Sequence, residues 1–279
     1  MDDVCVITGG GSGLGRATAR AMGERGYQIV LTGRTPAKLE TVVTELRATG
    51  VDAEALAGDV ADRESMRQLA RTAAKRGQVT AVIHAAGMSP HMGDPGVIMA
   101  TNALGTVNVN DAFYEVMDAR GCVIDTSSMS AYLTPKIVMP THVYPLSRTD
   151  RSRFMRGMMR RVHLFPRTVR TGVAYGISKH FVIWFARTDA ARFGARGVRV
   201  VSVTPGSFDT PMGDLESEES MTYVRNSAIK RLGRPEEIAH LYAAAADERM
   251  GYLTGTDILC DGGCVAGGAS PFRRRGGTG

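Results

Sequence analysis

Short apolar, β-branched runs alternate with amphipathic stretches along most of the chain. VCVITG (4–9), YQIVLTG (27–33), DAEALAGD (52–59), VTAVIHAAG (79–87), GCVIDTSS (121–128), VRVVSVTPG (198–206) and GTDILCDGG (255–263) read as strands. Helical patterns fill 13–25, 36–49, 62–76, 97–118, 174–193 and 235–246. Leu14, Ala17, Ala21 and Met22 share one side of the first helix, and Pro36 sits in the first turn of the second, where a missing N–H costs nothing. Continuous apolar strands separated by helices predict a parallel sheet covered on both faces. No repeat or boundary breaks the order. One doubly wound α/β domain is therefore expected over 1–264, with a mobile Gly- and Arg-rich tail over 265–279.

Composition narrows the class. The 279 residues are 43% hydrophobic and 22% charged, which excludes disordered and fibrous classes for the bulk of the chain. No stretch of about 18 apolar residues exists, so no membrane span is expected. MDDVCVITGG lacks the basic, apolar and cleavage regions of a signal peptide. Cys5, Cys122, Cys260 and Cys264 read as reduced thiols of a cytoplasmic protein. Cys260 and Cys264 lack neighbours to complete a metal set, and no metal is expected. The net charge of +6 is local: 136–170 holds nine Lys/Arg against the single acid Asp150. No nucleic-acid-binding module accompanies it.

Candidate chemistry begins where the first strand ends. Thr8-Gly9-Gly10-Gly11-Ser12-Gly13-Leu14-Gly15 joins that strand to a helix whose unpaired N–H groups suit a pyrophosphate. The glycines let backbone approach phosphate and let the helix pack on the strand. At the end of the second strand an NAD site usually places Asp or Glu on the ribose hydroxyls. Here Gly33-Arg34 stands instead, and a guanidinium pairs with a 2′-phosphate, which favours NADP over NAD. The plainer alternative is that Arg34 is a solvated loop residue.

These residues, with Asp59-Val60, Asn102, Ser128, Tyr175-Gly-Ile-Ser-Lys179, Thr204-Pro205-Gly206 and Asp257…Asp261-Gly262-Gly263, fall in the order of the short-chain dehydrogenase/reductase family. The resemblance covers residues 4–263. It implies a single Rossmann domain with a seven-stranded parallel sheet and NAD(P)-dependent oxidation of alcohols or reduction of carbonyls. It further implies adenine contacts at Asp59 and Val60, ribose contacts at Ala86 and Gly87, and a nicotinamide loop at Thr204–Gly206 continuing to Thr210. The cofactor set is thus Gly9, Ser12, Gly13, Leu14, Gly15, Arg34, Asp59, Val60, Ala86, Gly87, Tyr175, Lys179, Pro205, Gly206 and Thr210.

The implied catalytic set is Tyr175, Lys179, Ser128 and Asn102. Hydride transfer to a ketone needs a proton for the developing alkoxide, and a phenol is a poor acid–base group at neutral pH unless its phenolate is stabilised. Tyr175 and Lys179 are one helical turn apart, so the ammonium can supply that stabilisation. Ser128 ends the fifth strand at the ligand-binding edge and can bond a substrate carbonyl; Ser127 competes for this role. Asn102 matches the residue that positions a relay water in relatives. Read singly, a Tyr–Lys pair is often a surface pair, Ser128 can cap a turn, and Asn102 can satisfy backbone.

Three departures stand out. His84-Ala85-Ala86-Gly87 replaces the family's Asn-Asn-Ala-Gly, and His84 reads as a core histidine rather than an acid–base group. A short Gly87–Asn102 gap and a long Ser128–Tyr175 gap resemble the branch of bacterial 3α-hydroxysteroid dehydrogenase/carbonyl reductase. The insertion 133–170 predicts an amphipathic helix over Arg148–His163, with Phe154, Met155, Met158, Met159 and Val162 between arginines. It reads first as a packing element or subunit contact, then as a lid attracting an anionic substrate, then as a membrane-surface or acidic-partner contact. Phe208, Met212, Leu215, Met221 and Tyr223 are expected as an apolar substrate wall, and Asp214, Glu216, Glu218 and Glu219 as a solvated helix start. Homo-oligomers are expected through the helices around the active site, with Phe181, Ile183, Trp184 and Phe185 fitting such a contact unless the insertion blocks it. The reading is a reductase or dehydrogenase of a hydrophobic ketone or secondary alcohol, steroid-like ones included; the alternative is a non-catalytic NADP-binding regulator.

Overall fold

A computed structural model describes residues 3–214 and 217–268. The apolar runs form seven strands: β1 (Asp3–Thr8), β2 (Gln28–Gly33), β3 (Ala53–Ala57), β4 (Gln78–His84), β5 (Cys122–Thr126), β6 (Arg199–Pro205) and β7 (Asp257–Cys260). They make one parallel sheet in the order β3-β2-β1-β4-β5-β6-β7. The strand order reverses between β1 and β4, which opens a crevice at the carboxyl ends of the strands.

Side chains alternate between the two sheet faces. Cys5, Ile7, Ile29, Leu31, Ile83 and Ile124 pack under α1 (Gly13–Gly23), α2 (Pro36–Ala48) and α12 (Pro235–Ala246). Val4, Val6, Val30, Val82, Val123 and Val200 pack under α3 (Arg63–Arg76), α5 (Gly105–Tyr114) and α9 (Arg170–Gly194). Several strands are shorter than their apolar runs because the closing residues leave the ladder to line the crevice. The long helix expected over 97–118 is α4 (Pro95–Met99), a π-turn (Ala100–Leu104) and α5. Helix α9 begins four residues earlier than its periodicity suggests.

After β5 comes α6 (Ser130–Leu133), and the insertion carries α7 (Leu146–Thr149) and α8 (Arg151–His163). The helix expected over 148–163 is broken at Asp150, whose carboxylate instead accepts from Arg153 N and caps α8. Phe154, Met158 and Val162 are buried in a third cluster with Met99, Ala103, Phe181 and Phe185. Phe154 and Phe181 ring centroids are 4.8 Å apart. Charges fasten the insertion as well. Arg148 pairs with the buried Asp189, and Arg151 reaches Asp111 at 2.7 Å and Asn108 at 2.8 Å. Arg192 bridges Asp189 and Asp111. The insertion is therefore a packing element of its own chain, and it covers the Phe181 and Phe185 face on which a subunit contact was expected.

The segment after β6 holds α10 (Pro211–Asp214) and α11 (Ser217–Asn226). Leu215, Glu216 and the tail from 269 lie outside the described residues. No helix among the described residues is long and apolar enough to cross a membrane.

Candidate active site

The crevice is a cleft of about 340 Å³, within the size range of small-molecule sites. Its floor is the turn from β1 into α1. Gly9 has φ +67°, and a Cβ on Gly15 would lie 2.3 Å from the Gly9 carbonyl oxygen, so the turn closes only with glycine at both places. Every residue expected to hold the cofactor lines this cleft: Gly9, Ser12, Gly13, Leu14, Gly15, Arg34, Asp59, Val60, Ala86, Gly87, Tyr175, Lys179, Pro205, Gly206 and Thr210. Thr210 faces Gly13 across the opening. The Asp59 carboxylate accepts from Ala61 N at 2.9 Å, which fixes the loop after β3.

Arg34 follows β2 and is exposed. It lines the cleft beside Lys38, and among the described residues neither enters an ion pair; Arg34 touches only the Met88 thioether, at 4.0 Å. Two uncompensated cations at the end of β2 fit a phosphate dianion, as the glycine turn fits a pyrophosphate. Lys38 escaped the sequence reading because a basic residue in a first helical turn is unremarkable without its neighbour in view.

The opposite end gathers Tyr175, Lys179, Ser127 and Ser128. Tyr175 and Lys179 lie one turn apart on α9. Lys179 is buried, unlike a surface pair, and its Nζ donates to the Thr126 carbonyl at 2.9 Å and lies 5.9 Å from the Tyr175 ring centroid. Burial pulls the Lys179 ammonium down to about 8, partly offset by Asp125. Ser127 Oγ donates to the Lys179 carbonyl at 2.7 Å, so it ties β5 to α9. Ser128 Oγ accepts from Ser130 N at 3.3 Å, a turn-capping contact, donates to Ser130 Oγ at 3.4 Å, and lines the cleft.

Asn102 does not line the cleft. It stands behind Gly87 in the π-turn, where its Oδ1 accepts from Met88 N at 2.8 Å and its Nδ2 donates to Met88 O at 2.9 Å and Ser178 Oγ at 3.2 Å. His84 occupies the place of the missing asparagine. Thr8 Oγ1 accepts from Ala86 N at 3.0 Å and lies 2.8 Å from His84 Nδ1. Burial, with the Lys179 charge, lowers His84 to about 3, so it is a neutral core histidine.

Apolar side chains line much of the cleft, with Ser130, Ser207 and Ser220 among them. Met88, Pro90, Met92, Met129, Phe208, Met212 and Tyr223 line it, and residues 131–174 contribute nothing among the described lining. The insertion is thus no lid in this structure. Of the expected wall, Phe208, Met212 and Tyr223 are present, whereas Met221 is exposed and away from the cleft. Met88, Pro90 and Met92 were not anticipated; loop residues without periodicity carry no signal of facing inward.

Comparison with known proteins agrees with this geometry. Residues 3–163 match the family model for short chain dehydrogenase, and residues 164–265 match the model for Enoyl-(Acyl carrier protein) reductase. The short-chain dehydrogenase/reductase bsc3 of Alternaria brassicicola is 30% identical over 271 residues, covering 95% of this chain and 97% of its own. The A-factor type gamma-butyrolactone 1′-reductase of Streptomyces virginiae is 28% identical over 280 residues, covering 94% and 95%. A short chain dehydrogenase from Burkholderia cenocepacia, solved with NADP, superposes with a TM-score of 0.76 at 21% identity, covering 94% and 98%. The actinorhodin polyketide ketoreductase with NADPH has a TM-score of 0.75 at 20% identity, covering 94% and 97%. With a glycine turn, a Tyr-x-x-x-Lys pair and family matches that run from residue 3 to 265, the chain belongs to the short-chain dehydrogenase/reductase family of NAD(P)-dependent oxidoreductases acting on CH–OH/C=O groups.

Proposed function

We propose that the protein transfers hydride between NADP(H) and an uncharged, hydrophobic ketone or secondary alcohol, ring ketones of steroid-like shape included. One observation carries this reading. Tyr175, Ser128 and Lys179 line a cleft whose other charged side chains are Arg34, Lys38 and Asp59, and thioether and aromatic groups (Met88, Met92, Met129, Phe208, Met212 and Tyr223) supply much of the remaining mouth. Such a mouth binds by burial and adapts to shape through methionine.

The bound nicotinamide supplies or accepts the hydride. Arg34 and Lys38 hold the 2′-phosphate, a reading supported by relatives of the fold solved with NADP or NADPH. The Ser128 hydroxyl donates to the carbonyl oxygen and orients it. Tyr175 delivers a proton to that oxygen as negative charge develops, and the Lys179 ammonium stabilises the phenolate left behind. Asn102 sets the wall behind Gly87 rather than touching substrate. A binding-only regulator would have no use for a desolvated ammonium behind a tyrosine.

NADPH oxidation, followed by absorbance against uncharged ring and chain ketones, keto acids and acyl-CoA thioesters, tests the reading. Turnover is expected with uncharged ketones. Tyr175→Phe should lower kcat by about 10²-fold or more with NADPH affinity unchanged, the usual scale for losing a proton-transfer group. A clear preference for anionic substrates would overturn the substrate assignment. Two wider proposals accompany it. All four cysteines are free thiols, which supports a cytoplasmic setting. The second is self-association through the β7 edge.

A further inference from the structure

Asp125 has no part in the chemistry above, yet it is a wholly buried acid near the carboxyl end of β5. It lies on the sheet face covered by α5 and α9. Its Oδ1 accepts from Asn110 Nδ2 at 2.9 Å. Its Oδ2 and the Asn110 Oδ1 are both buried and both without a partner. The Asn110 amide nitrogen already donates twice, to Asp125 and to the Thr106 carbonyl at 3.0 Å. Two orphan acceptors on groups already bonded to each other are expensive, and a single proton on Oδ2 satisfies both.

The surrounding charges point the same way. His84 is in register with Asp125 on β4 and Ser202 on β6. From α9, Asp189 is neutralised by Arg148 and Arg192. Asp111 on α5 is taken by Arg151 and Arg192, and Arg199 is spent on the carbonyls of Ala245, Ala246 and Asp247. Lys179 is the remaining cation, and its Nζ is held by the carbonyl of Thr126, the residue next to Asp125. Burial pushes the Asp125 carboxyl up to about 8, with the nearby Lys179 opposing that rise.

We propose that Asp125 is a positioning residue for Lys179 and for the turn that carries Asn102, held as the neutral acid in a two-way hydrogen bond with Asn110. This rests on the reading of Tyr175 and Lys179 as the proton-transferring pair. The latch joins β5 to α5. On the β5 side it steadies the Thr126 carbonyl that carries the ammonium. On the α5 side the bonds run on, from Asn110 to Thr106 O and from Thr106 Oγ1 to Asn102 O at 2.7 Å. Asn102 in turn clasps Met88 at the cleft wall. Loss of the proton removes the donor to Asn110 and places a negative charge near Lys179.

Asp125→Asn and Asp125→Val separate the two roles. An amide keeps the size and the donor but cannot ionise; valine keeps neither donor nor acceptor. Asp125→Asn should hold kcat within about 3-fold of the parent at pH 7. Asp125→Val should lower kcat at least 10-fold, with KM for the ketone little changed. The infrared spectrum of the folded parent should show a carboxylic-acid carbonyl band at pH 7 that Asp125→Asn removes. An ionised Asp125 at pH 7, or an amide variant as damaged as the valine variant, would overturn the proposal. The infrared measurement needs no substrate. A protonated Asp125 in a protein that reduces no ketone would support the latch and count against the reading of Tyr175.

Discussion

Cofactor choice turns on single side chains. Arg34→Ala removes a charge-assisted contact to a 2′-phosphate, a loss of about 2 kcal/mol, or roughly 30-fold in affinity. NADPH binding, followed by fluorescence titration, should weaken by that factor while NADH binding stays within about 2-fold; equal losses would sink the NADP assignment. His84 bears on stability. Its imidazole is neutral in the fold, lowered to about 3, but titrates near 6.5 when unfolded. A base with a depressed folded pKa contributes its stability above the unfolded value and loses it as pH falls toward the folded one. From pH 6.5 to 5 the loss is about 2 kcal/mol. In His84→Asn, denaturant unfolding should show a shallower decline over that window than in the parent. These residue-scale features were unevenly legible. Tyr175, Lys179 and the glycine turn declare themselves by spacing, and Arg34 by what it replaces. Lys38 and Asp125 do not, because each matters only through partners distant in sequence.

At the scale of elements, strand and helix order could be read because the five inner strands are buried on both faces and so stay largely apolar, while the edge strands β3 and β7 are only partly buried. Ends could not be read as well: the residues closing β4 and β5 keep an apolar or small character while turning to line the cleft. The π-turn at 100–104 was invisible, since its residues suit an ordinary helix. The insertion showed an amphipathic helix but not its target. Four groups decide that target: Arg148 and Arg151 from the insertion, and Asp189 and Asp111 from α9 and α5. Asp189 is fully buried while its partners are partly in water, so losing its charge costs less than breaking a fully buried pair, about 2–3 kcal/mol. Asp189→Asn should lower the denaturant midpoint accordingly. It should also speed tryptic cleavage within 146–163, where arginines are dense; an unchanged cleavage rate would mean that the aromatic packing of Phe154 and Phe181 alone holds the insertion.

For the whole molecule, the unanswered question is where a second copy can bind. The α9 face is filled by the chain's own insertion. Beyond it, α8 presents Arg153, Arg156 and Arg160 to solvent, and a two-fold contact there would set like charges against each other. The other end of the sheet differs. Among the described residues, strand β7 pairs only with β6, and its outer edge is open. Around it stand exposed Tyr252, Leu259, Met250 and Ile229, and Tyr132, which donates to the Asp257 carboxylate at 2.7 Å. An open strand edge flanked by exposed apolar groups is a pairing surface unless something covers it. A second copy related by a two-fold axis buries both edges at once. In analytical ultracentrifugation the parent should therefore sediment as a dimer or larger assembly. Tyr252→Asp combined with Leu259→Asp should reduce it to a monomer of 29.8 kDa that still binds NADPH, since neither side chain lines the cleft. An assembly of unchanged mass in the double variant would move the interface elsewhere.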